Sequence, residues 1–212
     1  MSISNLGKTK LITILFLIFL GFILRFYNLN FDDFWSDEMV SYWLSSPSNN
    51  LSETLKIIFE SNLMISFEVV LKFFHMLFGY DVHTSRYLNA LISFFSIIVF
   101  VDLLRKNSSN TNTIVFGTFL LALNIFHIRY AMELRSYTLT FFLALFLINL
   151  LFKNKYLKNN ISYLDYLLII IISLLMLFSH AFSIIIIFSL NFYILCLLLF
   201  KKNNNSNLIN IF

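Results

Sequence analysis

The sequence predicts an all-α, polytopic membrane protein. Three observations lead there. Of the 212 residues, 59% are hydrophobic and only 12% are charged, where a soluble domain carries about 25% charged residues. The mean hydropathy is +0.82. The apolar residues come in blocks and do not alternate, which argues for helices over a β-barrel.

The apolar runs fall at 9–28, 86–104, 112–130, 136–152, 162–179 and 181–200. Each is close to the roughly 20 residues that cross a bilayer as a helix. The first resembles a signal peptide, with Lys8 and Lys10 ahead of it. No small-residue cleavage site follows, because the run passes into Arg25-Phe26-Tyr27, so it reads as a retained helix. The run 63–78 is ambiguous, since it contains Glu68, Lys72 and His75. If it does not cross, the basic clusters all fall on one side: Lys8 and Lys10, Arg105 and Lys106, Lys153, Lys155 and Lys158, Lys201 and Lys202. That is the positive-inside pattern. The acids Asp32, Asp33, Asp37, Glu38, Glu53, Glu60, Glu68, Asp81 and Glu133 then fall outside, and only Asp102 and Asp165 stay inside. The expectation is a single membrane domain over 1–212, with about six crossings, both termini cytoplasmic and an external segment at 29–85.

That segment carries its own helix signals. Asn50-Leu51-Ser52-Glu53 is a capping-box pattern ahead of Leu55, Ile57 and Ile58. A second helix over 63–78 would place Glu68 and Lys72 at i,i+4 and end on Gly79. Trp35, Tyr42 and Trp43 suit an interface. Both helices read as amphipathic, lying on the outer leaflet over the bundle. The lone Cys196 allows no disulfide within the chain. The net charge of +4 is a topology signal and does not point to nucleic acid.

The candidate chemistry lies on the external side. Asp37 and Glu38 follow Ser36 and read in two ways. They complement a helix N-terminus, or they serve as a general base or metal ligand at the membrane surface. Arg129, Glu133 and Arg135 sit at the turn between the third and fourth runs, against the positive-inside trend. Arg129 and Glu133 could pair at i,i+4, whereas Arg135 could face a phosphate, which suits its planar fork. Arg86 is a second cation on that side. His180 sits at the third external turn, and His83, His127 and His75 are weaker candidates.

These motifs resemble the GT-C superfamily of membrane glycosyltransferases, which includes protein O-mannosyltransferases, aminoarabinose transferases and the RgtA/B/C/D-like group. Ser36-Asp37-Glu38 resembles the acidic motif of their first external loop. Phe78-Gly79, followed by Arg86-Tyr87-Leu88-Asn89-Ala90-Leu91, resembles the entry into their second helix. Tyr130-Ala131-Met132-Glu133-Leu134-Arg135-Ser136-Tyr137-Thr138-Leu139 is similar to their Y-S-Q-E-x-R-x-Y-x-L turn, and Ser179-His180-Ala181-Phe182 to their T-H-Y-F turn. The resemblance implies transfer of a sugar from a polyprenyl-phosphate donor to a lipid, glycan or protein acceptor outside the cell membrane. It makes Asp37 and Glu38 catalytic. It assigns Arg86, Glu133, Arg135, Tyr137 and His180 to substrate, and admits a divalent metal as cofactor. Two departures stand out. Asn62-Leu63-Met64 occupies the place of the family's proline pair. The chain is also shorter than such enzymes, so it reads as the N-terminal part of a GT-C-like module. The alternatives are a transporter or flippase-like subunit, with Asn124, Asn149 and Asn191 as its polar groups, or an inactive truncated remnant.

Overall fold

The computed structural model describes residues 7–60, 65–153 and 163–203. Lys155, Lys158 and the Asn62-Leu63-Met64 site lie outside the described residues. Among the described residues all regular structure is helical: α1 (Lys8–Phe26), α2 (Ser36–Leu44), α3 (Leu51–Glu60), α4 (Ile65–Phe78), α5 (Val82–Asn107), α6 (Thr111–Ala122), α7 (Ile125–Ala131), α8 (Tyr137–Lys153), α9 (Tyr163–Leu177) and α10 (Ser183–Asn203).

By length and apolarity α1 and α5 are able to span a bilayer. The α6–α7 pair makes a third such span if it is taken as one helix bent by 50°, and α8, α9 and α10 are apolar over shorter stretches. The outward faces support the same reading. Phe16 and Phe19 on α1 and Ile184 and Phe188 on α10 are each at least 60% exposed. Aromatic and branched side chains in continuous stripes like these are unfavourable in water and comfortable in lipid.

Helix α5 is the axis. It packs against α8, α6, α1, α7 and α4, while α9 packs on α8 and α10 on α9. One core lies between α1, α5 and α6, built on Ile14, Ile97, Ile114 and Ala122. The other lies on the opposite side, where Phe67 and Leu71 of α4 meet Leu143 and Leu147 of α8 and Met176 of α9. Gly21 lets α1 approach closely, since a Cβ there would come within 2.7 Å of Ile97 Cδ1.

The local signals over 29–85 hold. The Glu53 carboxylate accepts from the Asn50 N–H at 3.1 Å, as the capping box requires. Gly79 has φ +100, the left-handed conformation that ends α4. The expected orientation of α4 is reversed. Its polar stripe, Glu68, Lys72 and His75, is buried, while Phe73, Met76, Leu77 and Phe78 are exposed. Glu68 and Lys72 do not pair with each other. Glu68 accepts from the Ser41 hydroxyl at 2.9 Å, and the Lys72 ammonium donates to the carbonyls of Ser46 and Asn49 in the turn after α2. The reason is the neighbour: α2 offers spent carbonyls and hydroxyls that need polar partners, so the stripe turns inward and its apolar back faces out.

The bend between α6 and α7 has its own polar support. Arg25, fully buried, donates to the carbonyls of Leu121 and Ala122 at 3.1 and 3.0 Å and to His127 Nδ1 at 2.7 Å. Arginine only donates, so Nδ1 accepts and the ring proton sits on Nε2. That nitrogen is buried without a hydrogen-bond partner, and the imidazole packs steeply against the Phe141 ring, with centres 4.7 Å apart. Backbone carbonyls freed at a break inside an apolar bundle need a donor, and Arg25 supplies it.

Candidate functional site

The site is built at the end of the bundle where α1 gives way to α2. Asn28, with φ 57, turns the chain sharply after α1; asparagine tolerates this left-handed region better than most residues. The following loop curls around Arg86. The carbonyls of Leu29, Asp32 and Asp33 accept from its guanidinium at 3.4, 2.6 and 3.2 Å.

Glu38 completes that arrangement. It is fully buried and takes Arg86 in a two-point grip, Nε to Oε1 at 3.1 Å and Nη2 to Oε2 at 2.8 Å. Its Oε1 also accepts the Leu134 N–H at 2.6 Å, and its Oε2 the Trp35 N–H at 3.3 Å. Phe34 covers the guanidinium, 4.9 Å from its ring centre. A bidentate pair with every remaining valence used satisfies the desolvation demands of both charges. It ties the first loop, α2, α5 and the α7–α8 turn into one body.

Asp37, one residue earlier, is in a different setting. Its side chain is 48% exposed and pairs with Arg135 at 3.4 Å, while Arg135 Nη1 reaches the Asp37 carbonyl at 3.3 Å. The guanidinium lies 6.0 Å from the Trp35 ring. The turn that carries Arg135 is pinned by Asn89, whose amide donates to the carbonyls of Glu133 and, at 2.8 Å, Arg135. Glu133 forms the i,i+4 pair with Arg129 at 3.3 Å. Tyr137 packs between Tyr130 and His180, with ring centres 4.7 and 5.2 Å away. His180 Nδ1 accepts from the Phe182 N–H at 3.2 Å. Burial, with the Arg135 charge nearby, pushes the imidazole below its ordinary pKa.

An open cavity of about 850 Å³ adjoins these groups. Trp35, Glu38, Arg86, Arg129, Glu133 and Tyr137 are among its walls, with Asp32 and Asp33 at the loop side. Asp37, Arg135 and His180 are outside that lining. The structure thus brings Asp37 and Arg135 into contact and Tyr137 and His180 into contact. The buried Glu38–Arg86 pair forms one wall of the cavity. Among the described residues no three His, Cys, Asp or Glu side chains are grouped to hold a metal ion, and Glu38 already spends its oxygens on protein donors. The residues do not form a metal site, and no step is derived through one.

Three buried groups are not singled out by the sequence: Arg25 only ends an apolar run, and Glu68 and His75 read as part of a helix on the surface of the membrane. The available signal was spacing: positions 68, 72 and 75 fall on one helical stripe in an otherwise apolar helix. Glu68 is nine-tenths buried, and its Oε2 has no hydrogen-bond partner. Burial pushes this carboxyl up to about 7, against the opposing effects of the Ser41 hydroxyl and the Arg135 charge. His75 bridges the Ser45 carbonyl and the Ser85 hydroxyl, the latter at 2.8 Å, and burial holds its pKa below the ordinary value.

Comparison with protein-family models, curated proteins and solved structures finds no match to this chain.

Proposed function

We propose that this chain is a membrane glycosyltransferase of GT-C type, moving a sugar from a polyprenyl-phosphate donor to a lipid, glycan or protein acceptor at the external face. The observation that carries the reading is the Asp37–Arg135 pair. A half-exposed carboxylate and a phosphate-suited cation meet beside an open cavity, at one end of an apolar helical bundle.

In this reading Asp37 takes the proton of the acceptor hydroxyl as that oxygen attacks the anomeric carbon. The bond from that carbon to the phosphate oxygen breaks, and polyprenyl phosphate leaves with the bonding electrons. Arg135 stabilises the charge that grows on the phosphate. Glu38 and Arg86 act by fixing the first turn of α2, and so Asp37, at the cavity rim. Glu133 and Tyr137 shape the cavity wall, and His180 orients Tyr137. The reading includes about six crossings of the cell membrane with cytoplasmic termini, as the charge pattern requires. The polar groups that a pore would use have local duties. Asn124 caps α7, Asn149 pairs with Asp102 at 3.0 Å, and Asn191 bonds the Ile187 carbonyl.

The test is sugar transfer from polyprenyl-phosphate donors by the purified protein and by Asp37→Asn. Transfer by the wild type and its loss in the variant is expected. Equal transfer by both sinks the role of Asp37, and substrate flux in proteoliposomes without glycosyl product sinks the reaction class. Cysteine labelling at Glu60 and Lys106 tests topology: labelling of both from outside rules out the arrangement.

A further inference from the structure

Arg135 has only loose contacts with its visible partner. Its contact with the Asp37 carboxylate is 3.4 Å, long beside the roughly 2.7–2.9 Å usual for a charged nitrogen and a carboxylate, and its other reach is to the Asp37 backbone carbonyl at 3.3 Å. The Arg135 charge also acts on a second carboxylate, Glu68. Asp37 and Ser41 are one turn apart on the same face of α2, and Ser41 donates to Glu68 at 2.9 Å. Glu68 keeps its other oxygen buried and unpartnered. Buried carboxylate oxygens without a donor are costly and rare, so an orphan within the field of a loosely held arginine points to a second seat for that arginine.

We propose that Glu68 is a positioning residue that takes over Arg135 when Asp37 engages the acceptor, so that the guanidinium exchanges one carboxylate for the other. The exchange answers a problem in the transfer reading, on which it rests. A base tied to an arginine is a poor base, and an arginine released into a low-dielectric site is a costly charge. Glu68 lets Asp37 go free without leaving Arg135 unpaired. Other charges nearby are committed or turned elsewhere: Glu38 to Arg86, Lys72 to the Ser46 and Asn49 carbonyls.

The experiment reads Arg135 directly and needs no donor. The full chain in detergent is treated with phenylglyoxal, which modifies free guanidinium groups, and each arginine is followed by mass spectrometry. Four proteins are compared: wild type, Asp37→Asn, Glu68→Gln and the double variant. Glu68→Gln keeps size and can still accept from Ser41, so only the charge is lost. The exposed Arg129 serves as the rate reference and the buried Arg86 as the folding control. Each single variant is expected to keep Arg135 within about twofold of wild type, and the double variant to raise its rate about tenfold, the loss of one held state. Full exposure by Asp37→Asn alone, with no added effect of Glu68→Gln, overturns the proposal. So does an unchanged rate in the double variant. Because no sugar is transferred, this outcome is independent of the activity assay. The exchange can fail while transfer stands, or hold where no donor is accepted.

Discussion

Asp37 and Glu38 are neighbours in the chain, both in the first turn of α2 and both paired to an arginine. Glu38 is sealed, gripped at two points by Arg86 and crossed by two backbone N–H groups. Asp37 is half-exposed and held by one long contact. A helix turns by about 100° per residue, so adjacent acids face different surroundings. One faces the junction of the first loop, α5 and the α7–α8 turn, and the other faces Arg135 and solvent. The same chemistry therefore serves architecture at one position and is left available at the next. Pairing alone says little about function; what separates the two is whether every valence is spent.

Substitutions sharpen that contrast, beginning with the sealed pair. Glu38→Ala or Arg86→Ala leaves one buried charge uncompensated and should cost about 3–5 kcal/mol, read as loss of monodisperse protein or a large fall in thermal midpoint. A small shift in either would show that the pair is not the anchor described.

Glu68 gives the next largest effect, through pH. Its pKa is raised from the ordinary 4.5 to about 7 in the folded state. The folded protein therefore holds a proton that the unfolded chain releases, and stability falls as pH rises from 4.5 to 7. The loss should reach about 3 kcal/mol at most, by the linkage between pKa and stability. The Ser41 hydroxyl and the Arg135 charge oppose this rise without cancelling it. Thermal midpoints of Glu68→Gln across this range should lose that slope, and a slope equal to wild type would remove Glu68 as its source.

Gly21→Ala should destabilise by about 1–3 kcal/mol, because the new methyl overpacks Ile97 in the α1–α5–α6 core. This separates the bundle from the site, since transfer per folded molecule should be unchanged. The smallest stability effect is expected for Asp37→Asn, under about 1 kcal/mol for an exposed pair, with transfer abolished. A fall as large as that of Glu38→Ala would erase the distinction between the two acids.

Much of the helical bundle is legible in the apolar blocks, because the roughly 20-residue length of a spanning helix acts on local composition. Caps and the Gly79 turn were legible because they involve residues three or four apart. The pairing of Arg129 with Glu133 belongs to the same class. The partners of Arg86, Lys72 and Arg25 were not legible. Each reaches a carbonyl or side chain far along the chain, and nothing in its own neighbourhood names which one.

The sequence by itself determined an all-helical, strongly apolar chain, the approximate extent of most of its helices though not the break between α6 and α7, and the gathering of acids and arginines in a few turns. Those properties follow from local propensity, hydropathy and charge. The tertiary structure decided which of two adjacent acids is buried, that the polar stripe of α4 points inward, and that Asp37 and Arg135 meet beside a cavity. These depend on which donors and acceptors are left unsatisfied where helices come together, and that is settled only when the chain packs.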